Sequence, residues 1–364
     1  MMTMDTEVSS KELLDILKIT APGTNLREGL DNVLRAKTGG LIVLSDSEAV
    51  MDLLAGGFHL DCVYSPAHLY ELAKMDGAII LNKDATRIIY ANAHLNPDQA
   101  IPSEETGIRH RTAEKTARQT NELIIAISQR RNVITLYKGD LKYFLKDTSV
   151  ILSKANQAVQ TLEKYKNVLD SVLISLGVME YDGSVTIADV AKVLQRAEML
   201  VRVEQELTKY ICELGSEGRL IKMQVEELVS NVANEELRTI MDYQNWGEDR
   251  DAKEIRSRLR SLSSETLLNL DRIAQEMGFE GVSDKGGESA FLTTRGYRLL
   301  GKVPRLPLQV INNLVKHFGN FNAIVQASIE ELDDVEGIGA IRAKNIRDGL
   351  RRLREQLYSD THWQ

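Results

Sequence analysis

A chain of 364 residues, 43% hydrophobic and with only six prolines, is long enough for two or three folded domains. Its formal net charge of −8 argues against wholesale electrostatic binding to nucleic acid. No apolar run approaches the ~20 residues that cross a bilayer, and the two cysteines, Cys62 and Cys212, lie far apart in the sequence. We therefore expect a soluble, cytoplasmic protein without contact to a membrane.

The first 145 residues alternate between helical and strand patterns. Apolar residues recur at helical spacing over 13–17 and 30–34, and a short helix is predicted from Thr112 to Gln119. Short apolar runs predict buried strands over 39–44, 78–81, 88–91, 123–127 and 133–137. Helices interspersed with buried strands predict an α/β domain with a mixed central sheet.

The pattern becomes wholly helical after Val150. Apolar residues step by three and four from Val159 to Leu173, which predicts a long amphipathic helix. Thr186 with Asp189 resembles a capping box that opens a second helix, and Gly215 stands where that helix should end. No functional motif marks this stretch, so we interpret it as a helical linker or scaffold.

A glycine-rich segment, Gly281 to Glu288, predicts a flexible connection to the last domain. Short helices are predicted over 310–318, 321–327, 329–332 and 341–353. The stretch from Ala290 onward has 11 basic and 8 acidic residues, whereas the first 289 residues carry a net charge of −11. The sequence thus predicts a multidomain chain, α/β and then all-α, with domains at 1–148, 149–288 and 289–364.

Asp76 and Gly77 stand directly before the apolar strand over 78–81. An Asp-Gly pair commonly does no more than shape a turn. A carboxylate at a strand end can also hold a metal or orient a hydroxyl. Mg²⁺ needs only one or two carboxylates when it also binds phosphate oxygens, so we identify Asp76 as a candidate metal ligand or acceptor for an attacking hydroxyl.

A second short segment, Thr106 to Arg111, predicts a phosphate-binding loop. Gly107 lets the backbone approach a ligand closely, Arg109 and Arg111 are planar donors suited to phosphate oxygens, and His110 can donate as well. A surface loop with ordinary ion pairs is the alternative. The adjoining glycine, the predicted helix start at Thr112 and the nearby Asp76 favour the phosphate site.

The sequence lacks the motifs of other common nucleotide-binding and metal-binding sites. Gly281 and Gly286 have the spacing of a P-loop, but Gly287 stands where its lysine belongs. No H-E-x-x-H or C-x-x-C motif occurs. A structure-specific nuclease is disfavoured because no cluster of acidic residues accompanies the basic tail.

The segment from Val335 to Lys344 resembles a helix-hairpin-helix motif. Gly337 and Gly339 expose backbone amides that can bind a DNA phosphate without reading base sequence, and Ile338 packs between the helices. The surrounding positive charge comes from Arg342, Lys344, Arg347, Arg351 and Arg352. A degenerate second hairpin is predicted over Lys302 to Leu306, and an ordinary helical hairpin remains the alternative.

These motifs resemble a known family over essentially the full chain. The run from Ser65 to Ala78 and the run from Thr106 to Glu114 resemble the two signatures of the diadenylate cyclase domain. The segments Arg295 to Leu300 and Pro304 to Pro307, with the hairpin, resemble the tail of its bacterial DNA-integrity-scanning members.

The resemblance implies condensation of two ATP into cyclic di-AMP and two pyrophosphates with Mg²⁺ or Mn²⁺. It implies a homo-octamer in which cyclase domains meet in pairs. It also implies a tail that binds branched DNA such as recombination junctions, thereby suppresses the cyclase, and locates the protein at the nucleoid. The implied catalytic residues are Asp76, Arg109, His110 and Arg111. The implied nucleotide contacts, besides these four, are Gly77, Leu95, Thr106, Gly107, Ile108, Thr112 and Ser128. The DNA contacts would be Gly337, Ile338, Gly339, Arg342, Lys344 and Arg347.

A second hypothesis keeps the same domains without the reaction. In it, the chain is a non-catalytic repair protein that binds DNA junctions and whose nucleotide site only senses ATP. The products formed from ATP distinguish the two.

Overall fold

The computed structural model describes residues 12–245, 251–281 and 291–361. The chain divides into two compact units. The described part of the first comprises residues 12–157 with Leu207–Met223, and the second comprises Ala158–Glu206 with the described residues from Gln224 onward.

A mixed β-sheet forms the centre of the first unit. Its strands are β1 (Gly40–Leu44), β2 (Leu54–Ala55), β3 (Phe58–Val63), β4 (Ala78–Leu81), β5 (Arg87–Leu95), β6 (Leu123–Ser128), β7 (Val133–Lys138) and β8 (Leu141–Leu145). The order is β2-β5-β4-β1-β6-β7-β8, and β3 also pairs with β5. Among the strands of the described residues, only β1 and β4 pair in parallel. The predicted mixed sheet is confirmed. The sequence missed β2, β3 and β8, which have no continuous apolar run.

Helices cover both faces of this sheet. They are α1 (12–19), α2 (Asn25–Arg35), α3 (Glu48–Met51), α4 (Pro66–Leu72) and α5 (Ile108–Thr120). Ile42 and Leu44 of β1 belong to a core with α1, α2 and α4, whereas Leu41 and Val43 belong to a core with Ala113 and Ala117 of α5. Because both faces are covered, β1 is buried along its whole length.

The predicted start of one helix in this unit is wrong, and this helix start belongs to the candidate site. Helix α5 begins at Ile108, with Gly107 as its N-cap, and not at Thr112. Arg109, His110 and Arg111 therefore lie in the first turn of a helix and not in a loop.

The remaining described residues contain helices and no strand. These helices are α6 (Thr148–Asp182), α7 (Ile187–Leu214), α8 (Arg219–Val229), α9 (Val232–Tyr243), α10 (Ala252–Ser261), α11 (Ser264–Leu267), α12 (Leu270–Glu276), α13 (Tyr297–Leu300), α14 (Leu308–Phe318), α15 (Phe321–Gln326), α16 (Ile329–Asp333) and α17 (Ala340–Thr361). The long helix and the helical middle region are confirmed.

The two ends of α7 agree with the start and end predicted from the sequence. The backbone N–H of Thr186 donates to the Asp189 carboxylate at 3.2 Å, and the Asp189 N–H donates back to the Thr186 hydroxyl at 3.4 Å. Gly215 follows α7 at φ +52°. The predicted linker from Gly281 lies, after its first residue, outside the described residues.

The last helices share one apolar core. Leu299, Leu314, Phe321, Ile346 and Leu350 are among its buried members. Helix α17 is longer than predicted, because it continues from residue 353 to Thr361.

Candidate functional site

One edge of the sheet gathers most of the nucleotide contacts predicted from sequence. β1 and β4 are parallel neighbours, with Leu41 opposite Ala78, so the residues before them, Gly39 and the Asp76–Gly77 pair, lie at the same edge. β5 and β6 run antiparallel to these strands. Their carboxyl ends, Leu95 and Ser128, therefore reach that edge as well.

Asp76 and Arg109 are ion-paired at this edge. Arg109 Nη2 donates to Asp76 Oδ1 at 2.8 Å, which joins the first turn of α5 to the residue pair before β4. The Asp76 side chain is 91% exposed. An exposed ion pair contributes at most about 1 kcal/mol, so an anionic ligand can replace the Asp76 carboxylate as the partner of Arg109 at little cost.

Two glycines allow this close arrangement. A Cβ on Gly39, which has φ +75°, would lie 2.5 Å from Arg109 Nη1, so a side chain there would displace the guanidinium. A Cβ on Gly77 would lie 2.7 Å from the backbone of Asn92 on β5. Gly77 thus lets the Asp76 turn pack directly against the neighbouring strand.

The start of α5 offers free donors beside Arg109. Gly107 caps the helix with its backbone only, and no side chain accepts from the first-turn amides. Uncapped amides at the N-terminus of a 13-residue helix, with the positive end of its dipole, favour an anion. This end of α5 and the Arg109 guanidinium together can hold phosphate oxygens.

The neighbouring predicted contacts differ in exposure. Thr106, Ile108 and Arg111 are exposed and Thr112 is half-buried. Arg111 Nε donates to the carbonyl of Glu105 at 3.1 Å. Ser128 accepts a hydrogen bond from the Arg131 amide at 3.2 Å and is also half-buried.

His110 points inward, in contrast to its two arginine neighbours. Its side chain is 5% exposed, and Nδ1 lies 3.0 Å from the Tyr137 hydroxyl. That hydroxyl donates to Glu105 Oε1 at 2.8 Å. Successive residues of an α-helix point about 100° apart, so the triplet divides into two outward arginines and one buried histidine.

Glu105 is the centre of a charged cluster that the sequence analysis missed. Lys142 Nζ lies 2.6 Å and Arg131 Nη2 lies 3.2 Å from its carboxylate. Burial raises the pKa of Glu105, but the hydrogen bonds from Lys142, Tyr137 and Arg131 outweigh it and bring the pKa to about 2. Burial lowers the pKa of His110, against the attraction of Glu105. A tyrosine within a buried strand was the available signal, since its hydroxyl needs a partner.

The residues at this edge fit a metal ion that is held largely by the phosphate oxygens of a bound ligand. Within residues 12–245, 251–281 and 291–361, no three His, Cys, Asp or Glu side chains come together as a metal site. Asp76 offers one accessible carboxylate. A divalent ion would therefore take its other ligands from phosphate oxygens and water, a common arrangement for Mg²⁺.

The predicted hairpin in the tail forms a tight turn before α17. Gly337 adopts φ +84°, Ile338 is 8% exposed in the core, and the buried Ala343 begins the packing of α17. Asn313 Nδ2 of α14 donates to the Glu336 carbonyl at 2.8 Å, and Arg342 donates to the Gly337 carbonyl. These bonds fix the turn and leave Lys344 and Arg347 exposed.

The two predicted hairpins line one groove. Its volume is about 890 Å³, and its walls are Val303 to Leu306 on one side and Gly339 to Arg342 with Asn345, Ile346 and Arg352 on the other. Arg305 adopts φ +61° in the first hairpin, where Gly337 adopts φ +84° in the second. Three arginines at one groove make it a candidate nucleic-acid interface.

The segment Arg295 to Arg298 has a structural role that sequence reasoning did not find. The Asp242 carboxylate of α9 accepts from the backbone amides of Gly296, Tyr297 and Arg298 at 2.6–2.9 Å. The wholly buried Arg298 guanidinium pairs with Glu180 of α6. This segment therefore anchors the start of the tail to α6 and α9.

Two family models match the chain. One, described as the DisA bacterial checkpoint controller nucleotide-binding region, matches residues 27–141. The other, described as the DisA bacterial checkpoint controller linker region, matches residues 145–285. The fold and these matches define a protein with an α/β nucleotide-binding domain followed by a helical linker.

Similar proteins share nearly the full length. The DNA integrity scanning protein DisA of Carboxydothermus hydrogenoformans is 58% identical over 93% of this chain and 96% of its own. The protein of the same name from Clostridium tetani is 54% identical over 96% of each chain. The chain belongs to the DNA integrity scanning protein DisA family.

One solved structure is similar to part of this chain. The match to a hypothetical membrane spanning protein from Bacillus cereus covers 34% of this chain and 62% of that protein's chain, at 20% identity and a TM-score of 0.31.

Across the described ranges, no helix of this chain combines the length and apolar character that a bilayer crossing requires.

Proposed function

We propose that the chain is a diadenylate cyclase that condenses two ATP into cyclic di-AMP and two pyrophosphates. The observation that carries this proposal is the meeting of Asp76, Arg109 and the uncapped start of α5 at one edge of the sheet. An acid beside a cationic, amide-rich anion site suits nucleotidyl transfer, in which positioning and charge neutralisation supply most of the catalysis.

The reaction forms one phosphoester bond and breaks one phosphoanhydride bond at each centre. A ribose 3′-oxygen attacks the α-phosphorus of the facing ATP, pyrophosphate leaves, and the hydroxyl proton passes to solvent. Arg109 and Arg111 bind phosphate oxygens, and the α5 amides hold the same anion. Asp76 orients the attacking hydroxyl.

Asp76 would also hold a divalent ion, Mg²⁺ or Mn²⁺, together with phosphate oxygens of the substrate. When bound, such an ion neutralises the charge of the triphosphate. Gly77, Leu95, Thr106, Thr112 and Ser128 complete the proposed nucleotide contacts.

The product requires two nucleotides, whereas the described residues of each chain form one such edge. Two copies must therefore present their sites to each other, and the proposed assembly is a homo-octamer with cyclase domains in facing pairs. Ile108 at the start of α5 is 83% exposed, which makes it available to a nucleotide or to the facing copy.

The tail is proposed to bind branched DNA and to lower synthesis when it does so. Supporting this proposal, the groove between the two hairpins carries Arg305, Arg342 and Arg352 together with the backbone of Gly339. Such a site contacts phosphates without reading sequence. A protein with this activity works in the cytoplasm, at the nucleoid.

The experiment is a product analysis. Purified chain is incubated with ATP and Mn²⁺ or Mg²⁺, and the products are separated and identified by mass spectrometry, with chelator as the control. Cyclic di-AMP with two equivalents of pyrophosphate is the expected result. ATP that binds but is recovered unchanged would support the alternative, a junction-binding repair protein with an ATP-sensing domain.

A further inference from the structure

The hydrogen bonds around His110 fix which of its nitrogens carries the proton. An ionised carboxylate can only accept hydrogen bonds, so the Tyr137 hydroxyl donates its one hydrogen to Glu105 at 2.8 Å. The Tyr137 oxygen can then only accept from His110, whose Nδ1 lies 3.0 Å away. Nδ1 must therefore carry the hydrogen.

The other nitrogen of the ring, Nε2, is buried and has no hydrogen-bond partner. The charged groups around the ring are Glu105 before α5, Arg109 on α5, Arg131 after β6 and Lys142 on β8. Three cations and one carboxylate around a buried ring disfavour a second proton. Burial, the largest effect, lowers the pKa of His110 in the same direction.

A neutral ring with the hydrogen on Nδ1 has a bare lone pair on Nε2. Phosphate oxygens of ATP also present lone pairs at neutral pH, so no hydrogen bond can form between the two. The ring lies instead beneath the helix cap, since a Cβ on Gly107 would be 3.9 Å from its Cδ2.

We propose that Glu105 and Tyr137 are positioning residues, which hold His110 as the neutral Nδ1–H form so that it fixes the first turn of α5 and leaves phosphate binding to Arg109 and Arg111. This inference rests on the proposed cyclase function for its kinetic consequence, but not for its structural content. It departs from the sequence-based expectation that all three residues of the triplet contact phosphates.

The first test is the protonation state of His110 in the intact chain. In ¹⁵N-labelled protein, histidine ring nitrogens are assigned by NMR, using His110→Asn to identify the signal. We expect a protonated Nδ1 and a bare Nε2 at pH 7, unchanged when a non-hydrolysable ATP analogue binds. A hydrogen on Nε2, either alone or in a doubly protonated ring, would overturn the proposal.

The second test compares two replacements of His110. The amide nitrogen of asparagine occupies roughly the place of Nδ1, whereas that of glutamine occupies roughly the place of Nε2. If His110 acts through Tyr137, His110→Asn retains the higher kcat/KM, by roughly tenfold, since misplaced groups in an active site cost up to about 10²-fold. Equal or higher activity of His110→Gln would overturn the proposal.

A matched pair of tyrosine variants completes the design. Tyr137→Phe removes the acceptor of Nδ1–H, so we expect the His110 signal to shift toward the ordinary mixture of tautomers. Tyr143→Phe removes a similar bond, 2.7 Å to Glu213, and should leave the His110 signal unchanged. An unaltered His110 signal in Tyr137→Phe would contradict the proposal. If the wild-type chain converts no ATP, the proposed function fails, while the NMR result still decides this inference.

Discussion

Arg109 reaches from the first turn of α5 to Asp76, which lies two residues before β4, with 2.8 Å between Arg109 Nη2 and Asp76 Oδ1. The guanidinium crosses Gly39 on the way, where a side chain would displace it. The two groups proposed to bind phosphate and to orient the hydroxyl are therefore already in contact.

Replacement of Asp76 tests the role of this acid directly. We expect Asp76→Asn to lower cyclic di-AMP formation by at least about 100-fold, because a neutral amide oxygen binds a divalent ion and the attacking hydroxyl more weakly than a carboxylate does. The melting temperature should stay essentially unchanged, since the side chain is 91% exposed. Product formation by mass spectrometry and a thermal melt measure the two effects.

Asp140 provides the matched control. It is 95% exposed and pairs with Arg118 at 3.2 Å in the same unit, away from the candidate site. Asp140→Asn should therefore retain synthesis. Normal activity in Asp76→Asn would remove Asp76 from the mechanism.

The sequence predicted the location of the candidate site better than its local geometry. Asp76 and Gly77 could be found because an Asp-Gly pair ends a turn before an apolar strand. That Leu95 and Ser128 share their edge depends on strand order and direction, which follow from long-range pairing and have no local signal.

The start of α5 was misplaced for a physical reason. Arg109, His110 and Arg111 show no apolar periodicity, and Gly107 caps the helix without a side chain, so neither common helix-start signal is present. The partnership of His110 with Tyr137 joins residues 27 positions apart and could not be read from either motif.

Charge reversal in the tail tests the DNA proposal. We expect Arg342→Glu with Lys344→Glu to weaken binding to a branched junction and to relieve inhibition by DNA, without lowering synthesis in its absence. The dependence of affinity on salt should become shallower by about one unit of slope per lost phosphate contact. Junction affinity is measured by fluorescence anisotropy over a salt series, alongside the product assay.

A second double charge reversal tests whether the loss of DNA binding comes from the groove or from the changed net charge. Lys253 and Arg258 are exposed on α10, so Lys253→Glu with Arg258→Glu changes the total charge equally. This variant should bind the junction more tightly than the tail variant. Equal loss in both would show that the hairpin is not the contact.

Glu198 and Glu236 form a buried carboxyl pair in the helical region. Their exposed fractions are 1% and 0%, and Arg260 lies 3.6 Å from each. Burial, and then the neighbouring carboxyl group of Glu198, raise the pKa of Glu236 well above its usual 4.5, against the attraction of Arg260 and Arg256. The folded chain thus keeps a proton on Glu236 that the unfolded chain releases.

Stability should therefore fall as pH rises above about 4.5, because the folded state binds more protons than the unfolded state. Glu236→Gln keeps a neutral group and removes this dependence. We expect the variant to be more stable than the wild type by about 1–3 kcal/mol at pH 8 and to lose that advantage near pH 5. Calorimetric melts over this range measure it, with the exposed Glu265→Gln as control. Parallel pH curves for Glu236→Gln and wild type would contradict the assignment.

Arg298 links the tail segment to α6 through the most buried ion pair among the described residues. Its side chain and that of Glu180 are both 0% exposed, and its Nη1 lies 3.5 Å from Glu235. Removal of one partner leaves a charge without compensation in the interior, so Arg298→Met should lower stability by about 3–5 kcal/mol. This corresponds to a melting temperature lower by on the order of 10 °C.

The double variant shows whether this loss comes from the stranded carboxylate. Glu180→Gln with Arg298→Met removes both charges, and Tyr243 can still hydrogen-bond to residue 180, to which its hydroxyl now donates at 2.8 Å. We expect this variant to regain at least about 1 kcal/mol over Arg298→Met, whereas strictly additive losses would exclude a shared cause. Arg87→Met, which breaks the exposed pair with Asp61, should shift the melting temperature little.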